Sequence, residues 1–180
     1  MNKRPVFRPV QAEEIARAFD EEGVEYLFIG KSGAILLGYP GTTQDVDIFP
    51  DRSPENGRRI IAALRKIGFE IGVELERDIT RGKDFVQIKT GPFDLDLVFA
   101  PDGIKSFAEA RARGLTEGIF RVANLRDIIA SKRASGRQKD RIELPLLESF
   151  RVEYEKHHAP PLRTAGDIAA KKSRSKRRSA

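Results

Sequence analysis

Two short acidic segments have residue types and spacing suited to chemistry: residues 45–47 read DVD and residues 94–96 read DLD. Alternation of acidic and apolar residues is typical of a β-strand, whose successive side chains point to opposite faces. Asp45 and Asp47 are therefore expected on one face, about 6.5–7 Å apart at Cα. Two carboxylates on one partly buried face resist ionisation unless a cation neutralises them. Mg²⁺ fits this requirement, because it prefers oxygen ligands and typically combines one or two carboxylates with substrate phosphates.

Each acidic segment also has a simpler interpretation, as the solvated face of a strand at the edge of a sheet. For a single Asp-x-Asp segment this simpler interpretation is the more common one. Two such strands in one small domain favour a shared cation site instead.

A strand, a turn and a short helix are predicted immediately before the first acidic segment. Residues 24–29 form an apolar run long enough for one buried strand, and residues 30–33 (GKSG) interrupt it. Residues 34–37 predict a short helix that ends at a glycine. The letters GKS suggest a phosphate-binding Walker loop, but that motif requires a glycine five positions earlier, where this chain has Glu25. We therefore reject the Walker interpretation.

The order of these features resembles the signature of the nucleotidyltransferase (polymerase-beta-like) superfamily, in which a strand, a glycine, a small residue and a short helix precede Asp-x-Asp. Residues 38–48, GYPGTTQDVDI, are most similar to the small bacterial AbiEii-like or minimal nucleotidyltransferases, several of which act as toxins. Two positions depart from the family pattern. Lys31 replaces the second glycine of the usual pair, and Gly41 stands where arginine often follows Tyr-Pro. Lys31 can itself supply positive charge near a phosphate.

The resemblance implies a site for Mg²⁺ and an NTP. Asp45 and Asp47 are expected to bind the metal together with a third carboxylate on a following strand. Asp96 matches the family pattern better than Asp94, because three apolar residues follow Asp96. Asp94 remains the alternative.

Four further residues are expected to bind the nucleotide. Gly30, Lys31 and Ser32 would bring backbone amides, positive charge and a hydroxyl to the phosphates, as glycine-containing turns at helix starts do. Residues 131–140 resemble the S-K-x-x-x-x-R-x-K-D segment of the same small nucleotidyltransferases. That resemblance implies that Lys132 contacts the triphosphate opposite the aspartates. The alternative for Lys132 is a surface lysine beside a helix end.

Helices and strands alternate along the chain, which together with the resemblance over residues 24–140 implies an α/β (α+β) fold, a mixed sheet flanked by helices. We predict helices at residues 11–21, 54–67, 102–113, 125–134 and 141–155, the last interrupted by Pro145. We predict further strands at residues 69–75, 85–90, 93–100 and 119–123, with a charged connector over 76–83.

The composition limits the classes of function. The chain has 180 residues, no cysteine and a formal net charge of +6. Without cysteine it has neither a disulfide framework nor a thiolate zinc site. No apolar run approaches the roughly 20 residues needed to span a bilayer, so we expect a cytoplasmic protein with no membrane partner. Six basic residues lie in residues 171–178, and we expect a nucleotidyltransferase-like domain over 1–156 and a basic, disordered tail over 157–180.

Three functions are compatible with these patterns. The first is a Mg²⁺-dependent nucleotidyltransferase that moves an NMP from an NTP to an acceptor hydroxyl. The acceptor is left open between RNA (tRNA in the toxin-like relatives, which would pair with a cognate antitoxin), a protein and a small molecule such as an aminoglycoside. The second is a non-catalytic relative that binds nucleic acid or a partner protein through the basic tail. The third, an aminoglycoside-type modifying enzyme, would need an acidic acceptor pocket, and the basic tail is unfavourable for it.

Overall fold

A computed structural model of the chain describes residues 6–158, and within them seven helices flank one six-stranded mixed sheet. This architecture confirms the predicted α/β (α+β) class. The helices are α1 (Pro9–Glu22), α2 (Gly30–Leu36), α3 (Pro54–Lys66), α4 (Val73–Thr80), α5 (Phe107–Arg113), α6 (Leu125–Ser135) and α7 (Gln138–His158). The strands are β1 (Tyr26–Phe28), β2 (Val46–Pro50), β3 (Phe85–Ile88), β4 (Leu95–Val98), β5 (Leu115–Glu117) and β6 (Phe120–Val122).

The sheet has the order β3-β4-β2-β1-β6-β5, so that the two strands with acidic segments are neighbours. β2 runs parallel to β4 and antiparallel to β1, and β1 runs parallel to β6. Antiparallel pairing places β3 and β5 at the two edges. In this register Asp47 of β2 lies opposite Asp96 of β4.

The hydrophobic core lies between the central strands and the helices packed on them. All three residues of β1 are buried, and Val46 and Ile48 of β2 are fully buried on the face opposite the aspartates. α3 begins where the Ser53 hydroxyl accepts a hydrogen bond from the Asn56 amide, the arrangement of a helix N-cap. These packed elements fix the positions of β2 and β4. No helix within residues 6–158 is long and apolar enough to cross a lipid bilayer.

The prediction for residues 69–83 was wrong. Phe69 and Ile71 are buried in an extended segment that is joined to residue 90 by backbone pairing, but the expected strand does not continue to residue 75. The helix α4 begins at Val73 instead and takes up most of the expected connector. Val73 is 86% exposed, so the apolar alternation that suggested a strand does not correspond to one buried face.

Several predicted boundaries also differ from the structure. α5 begins at Phe107, five residues later than predicted, because the Ser106 hydroxyl caps it. The strand β5, which pairs with β6 in a short hairpin, was not predicted. α7 runs through Pro145 without interruption and continues to His158, beyond the domain boundary predicted at residue 156. The rest of the predicted tail, residues 159–180, lies outside the described residues.

Candidate functional site

The neighbouring strands β2 and β4 bring two predicted site residues together. Asp47 and Asp96 are partners in the parallel register, and adjacent strands are about 4.8 Å apart. Both side chains line a cleft of about 970 Å³, as does Asp45, which precedes β2 rather than lying within it. Asp94, the alternative third carboxylate, precedes β4 and is not part of the cleft lining among the described residues. The cleft therefore contains the preferred set of three aspartates.

The charges of these aspartates are poorly compensated. Burial, together with the nearby carboxylates of Asp96 and Asp45, raises the pKa of Asp47 to about 7. Burial and the Asp45 carboxylate also raise the pKa of Asp96 to about 6, although Gln87 Nε2 donates a hydrogen bond to it at 3.3 Å. Within residues 6–158, no ion pair involves any of the three carboxylates. A bound cation would relieve this repulsion.

The turn into α2 holds Asp47 in place. The Ser32 hydroxyl accepts a hydrogen bond from the Asp47 amide at 2.9 Å. Its own proton reaches either the Ile29 carbonyl oxygen, at 3.2 Å, or Asp47 Oδ2, at 3.4 Å. Ser32 is completely buried, so its hydroxyl is not exposed to the cleft and the expected phosphate contact does not fit its position. Ser32 instead joins α2 to β2.

Gly30 lies beside the same carboxylate. Its φ of +63° falls in the left-handed region, which favours glycine. A Cβ atom at this position would lie 2.6 Å from Asp47 Oδ2. Any side chain would therefore displace the Asp47 carboxylate. Gly30 also lines the cleft, where its backbone remains accessible to a ligand.

The two predicted phosphate-binding lysines line the same cleft and contact one glutamate. Lys31 Nζ lies 2.6 Å from Glu143 Oε1, and Lys132 Nζ lies 2.9 Å from Glu143 Oε2. Lys132 Nζ also lies 3.3 Å from Asp140 Oδ1. The Lys132 side chain is only 11% exposed, so it is not the surface lysine of the alternative interpretation. Its charge lowers the pKa of Asp47, in opposition to the effect of burial, as expected for a cation near that carboxylate.

The acidic residues of α7 were not predicted as part of the site. Asp140 is fully buried and accepts hydrogen bonds from Ser135 at 2.8 Å and from Arg137 at 2.7 Å. Burial alone would raise the pKa of Asp140, but these hydrogen bonds and the Lys132 charge lower it to about 2. Asp140 and Glu143 are three positions apart and so share a helix face, a signal that was available in the sequence.

Three apolar side chains at the cleft were also not predicted from the sequence as part of the site. Phe85 of the edge strand β3 is 49% exposed, and Ile142 and Leu146 of α7 are 71% and 64% exposed. All three line the cleft whose other lining residues include the aspartates and lysines. A ligand with both a charged and a flat apolar part would match this combination.

The aspartates fit Mg²⁺ by their chemistry. Among the residues from 6 to 158, no group of three or more His, Cys, Asp or Glu side chains is arranged as a ready-made metal site. Mg²⁺ typically needs only one or two carboxylates, with the remaining oxygens from water and substrate phosphates. The paired and uncompensated Asp47 and Asp96 meet that requirement, with Asp45 close enough to raise the pKa of both.

A scan of the sequence against protein-family models gives no match, and a search of curated proteins gives no significant match.

Proposed function

We propose that the protein is a Mg²⁺-dependent nucleotidyltransferase that moves an NMP unit from an NTP to an acceptor hydroxyl. The observation that carries this proposal is the in-register pair Asp47 and Asp96, whose pKa values are raised in a cleft that also contains Lys31 and Lys132. A site for a metal-bound polyphosphate needs carboxylates to bind the metal and cationic side chains such as lysine to bind the phosphates. The similarity to the nucleotidyltransferase signature over residues 24–140 is consistent with this site.

In the proposed reaction Asp45, Asp47 and Asp96 would hold Mg²⁺ in the cleft. Bound there, the metal would supply Lewis-acid chemistry that lowers the pKa of the acceptor hydroxyl and neutralises charge on the pyrophosphate leaving group. Ser32 fixes the Asp47 main chain, and Gly30 leaves room for its carboxylate. These contacts hold the Asp47 carboxylate close to its required position before a ligand binds.

The lysines would act in the same cleft. Lys31 and Lys132 would bind the phosphates as point charges, beside the aspartates that hold the metal. α2 begins at Gly30, and the amides in the first turn of a helix have no partner within the helix. The backbone at Gly30 and Lys31 therefore adds hydrogen-bond donors to the phosphate side of the cleft.

The remaining parts of the cleft suit the base and the acceptor. The exposed ring of Phe85 offers a flat apolar surface on which a nucleobase can stack. We propose RNA, in particular tRNA, as the acceptor, within a cytoplasmic toxin that a cognate antitoxin restrains. The basic residues 171–178, which lie outside the described residues, would then hold RNA phosphates in a salt-sensitive manner.

The experiment is incubation of the purified protein with each α-³²P-labelled NTP, Mg²⁺ and total RNA, followed by separation of protein, RNA and small molecules. We expect Mg²⁺-dependent label in RNA with one or two of the four NTPs, and no label when EDTA replaces Mg²⁺. The matched control is the Asp47→Asn variant, which keeps the size of the side chain. Label that is equal in the variant, or absent from every fraction of the wild type, would contradict the proposal.

A second candidate, the non-catalytic binding module, is favoured by one observation. Glu143 already pairs with both cleft lysines, which leaves them less available to a nucleotide. This candidate predicts RNA binding that depends on residues 171–178 and falls steeply with salt, without Mg²⁺-dependent binding of an NTP. Equilibrium dialysis with labelled NTP, with and without Mg²⁺, separates the two functions.

A further inference from the structure

Glu143 makes contacts of the kind a bound phosphate would make. Each of its two carboxylate oxygens lies within 2.9 Å of a different lysine, Lys31 on α2 and Lys132 on α6. Two ammonium groups from separate helices that converge on one pair of oxygens form an anion-binding arrangement. Both lysines and the glutamate line the cleft that contains the aspartates. The part of the cleft beside these two lysines, where a phosphate would bind, is thus already occupied by an anionic side chain.

Asp140 and Glu143 differ in their access to the cleft, although both contact Lys132. Asp140 is completely buried, and Arg137 and Ser135 also bind it, so it belongs to the packing between α6 and α7. Glu143 lines the cleft, and its carboxylate is held by the two lysines alone among the ion pairs of residues 6–158. A ligand that enters the cleft can therefore replace Glu143, while Asp140 keeps Lys132 in position.

We propose that Glu143 is a specificity-determining residue that occupies the phosphate subsite of Lys31 and Lys132 until a polyphosphate displaces it. This inference rests on the proposed function only for the nature of the ligand. Glu143 keeps the two ammonium groups turned toward one point despite their mutual repulsion. Glu143 also limits which anions can bind, because an entering anion must attract both lysines more strongly than a single carboxylate does. A chain of several phosphates carries enough charge to displace Glu143, whereas a monophosphate with less charge competes poorly.

The experiment is titration calorimetry with inorganic tripolyphosphate in a metal-free buffer. Glu143→Gln keeps the shape of the side chain but removes its charge, so we expect tripolyphosphate to bind about tenfold more tightly than to the wild type. The matched control is Glu148→Gln, on the same helix, where the glutamate pairs with Arg133 and Arg151 instead of the cleft lysines. We expect the affinity of this control to equal that of the wild type.

A second variant covers a failure of Glu143→Gln to fold. Glu143→Asp keeps the charge on a shorter side chain that does not span both lysines, and we expect a smaller increase in affinity, about threefold. Melting temperatures identify the folded variants. If every folded variant at position 143 binds tripolyphosphate as weakly as the wild type, or more weakly, the inference is overturned.

The outcome is independent of nucleotidyl transfer. Tighter tripolyphosphate binding by Glu143→Gln, in a protein that labels no acceptor, would leave the inference standing and remove the proposed function. Nucleotidyl transfer by the wild type, without tighter tripolyphosphate binding by the variants, would support the proposed function and overturn the inference.

Discussion

Two pairs of carboxylates in or beside one cleft have pKa values shifted in opposite directions. Asp47 and Asp96 lie on neighbouring strands, and burial raises their pKa values to about 7 and about 6. Asp140 and Glu143 lie on α7, and contacts with cations lower the pKa of Asp140 to about 2 and lower that of Glu143 below its usual range despite partial burial. All four side chains are shielded from solvent to a large degree, so burial alone does not explain the difference.

The difference lies in the partners that each pair has within the described chain. Lysine and arginine side chains reach the α7 carboxylates directly, whereas the strand carboxylates mainly face one another. A carboxylate whose charge is compensated internally stabilises the fold. One whose charge is not compensated lowers stability and is available for an external cation. The comparison therefore indicates a structural role for Asp140 and supports the proposed cation site at the strand pair, while Glu143, which lines the cleft, has the displaceable position proposed for it.

The largest expected effect is on activity. Asp47→Asn and Asp96→Asn remove charge from the proposed Mg²⁺ site, and we expect transfer of labelled α-phosphate to fall at least about a thousandfold, equivalent to about 4 kcal/mol of transition-state stabilisation. The matched control is Asp94→Asn, two residues from Asp96 but outside the cleft lining, which should retain most activity. Initial rates at saturating Mg²⁺ test both expectations. A loss as large in the Asp94 variant would mean that the third carboxylate has been misassigned.

The second effect is on stability and concerns the α7 pair. Asp140→Asn loses the compensated charge, and we expect the free energy of unfolding at pH 7 to fall by about 2 kcal/mol. The folded pKa of about 2 lies below the ordinary value of 3.8, so this stabilisation is present above pH 4 and is lost as pH falls toward 2. Urea unfolding at pH 7 and pH 3 measures the change.

The control for Asp140 is Glu148→Gln, whose partly exposed ion pairs should contribute less than about 1 kcal/mol. If the two variants were equally stable at pH 7, the buried Asp140 contacts would not have the structural role assigned to them.

The last effect is a pH dependence with the opposite sign. The folded pKa of Asp47, about 7, exceeds the ordinary value of 3.8, so the folded chain binds more protons between these pH values and loses stability as pH rises through them. We expect Asp47→Asn to raise the melting temperature at pH 8 by roughly 10 °C and to change it little at pH 4. Differential scanning calorimetry without divalent ions measures both. A lower melting temperature for the variant at pH 8 would contradict an uncompensated charge at this position.

The sequence predicted the two acidic strands well, because the signals for them are local. Alternation of acidic and apolar residues identified β2 and β4 as strands, and the buried Val46 and Ile48 confirm which side of β2 faces the core. The pairing of β2 with β4 is not local, but two acidic strands in one small chain already favoured it. The preference for Asp96 over Asp94 agrees with the residues that line the cleft.

The parts that the sequence did not predict depend on tertiary contacts. Residues 69–75 alternate as a strand would, yet Val73 is exposed and begins α4, whereas Phe69 and Ile71 before it are buried in the core. Ser32 was expected to face phosphate, but its hydroxyl bonds with a strand 15 residues away. Glu143 contacts Lys31 across 112 positions of sequence, and no periodicity within either helix indicates such a contact.

Pro145 divides α7 into two parts that are anchored to the rest of the protein by different contacts. A proline has no amide proton, so the carbonyl of Arg141, four residues earlier, lacks its usual bond within the helix. The longer part beyond it is anchored by the buried Leu147 and Tyr154 and by the contact of Glu155 with Arg126. The first two turns, which contain Glu143, are held separately by the buried Asp140. The missing bond at Pro145 therefore marks the point at which the two anchored parts of the helix can bend relative to each other.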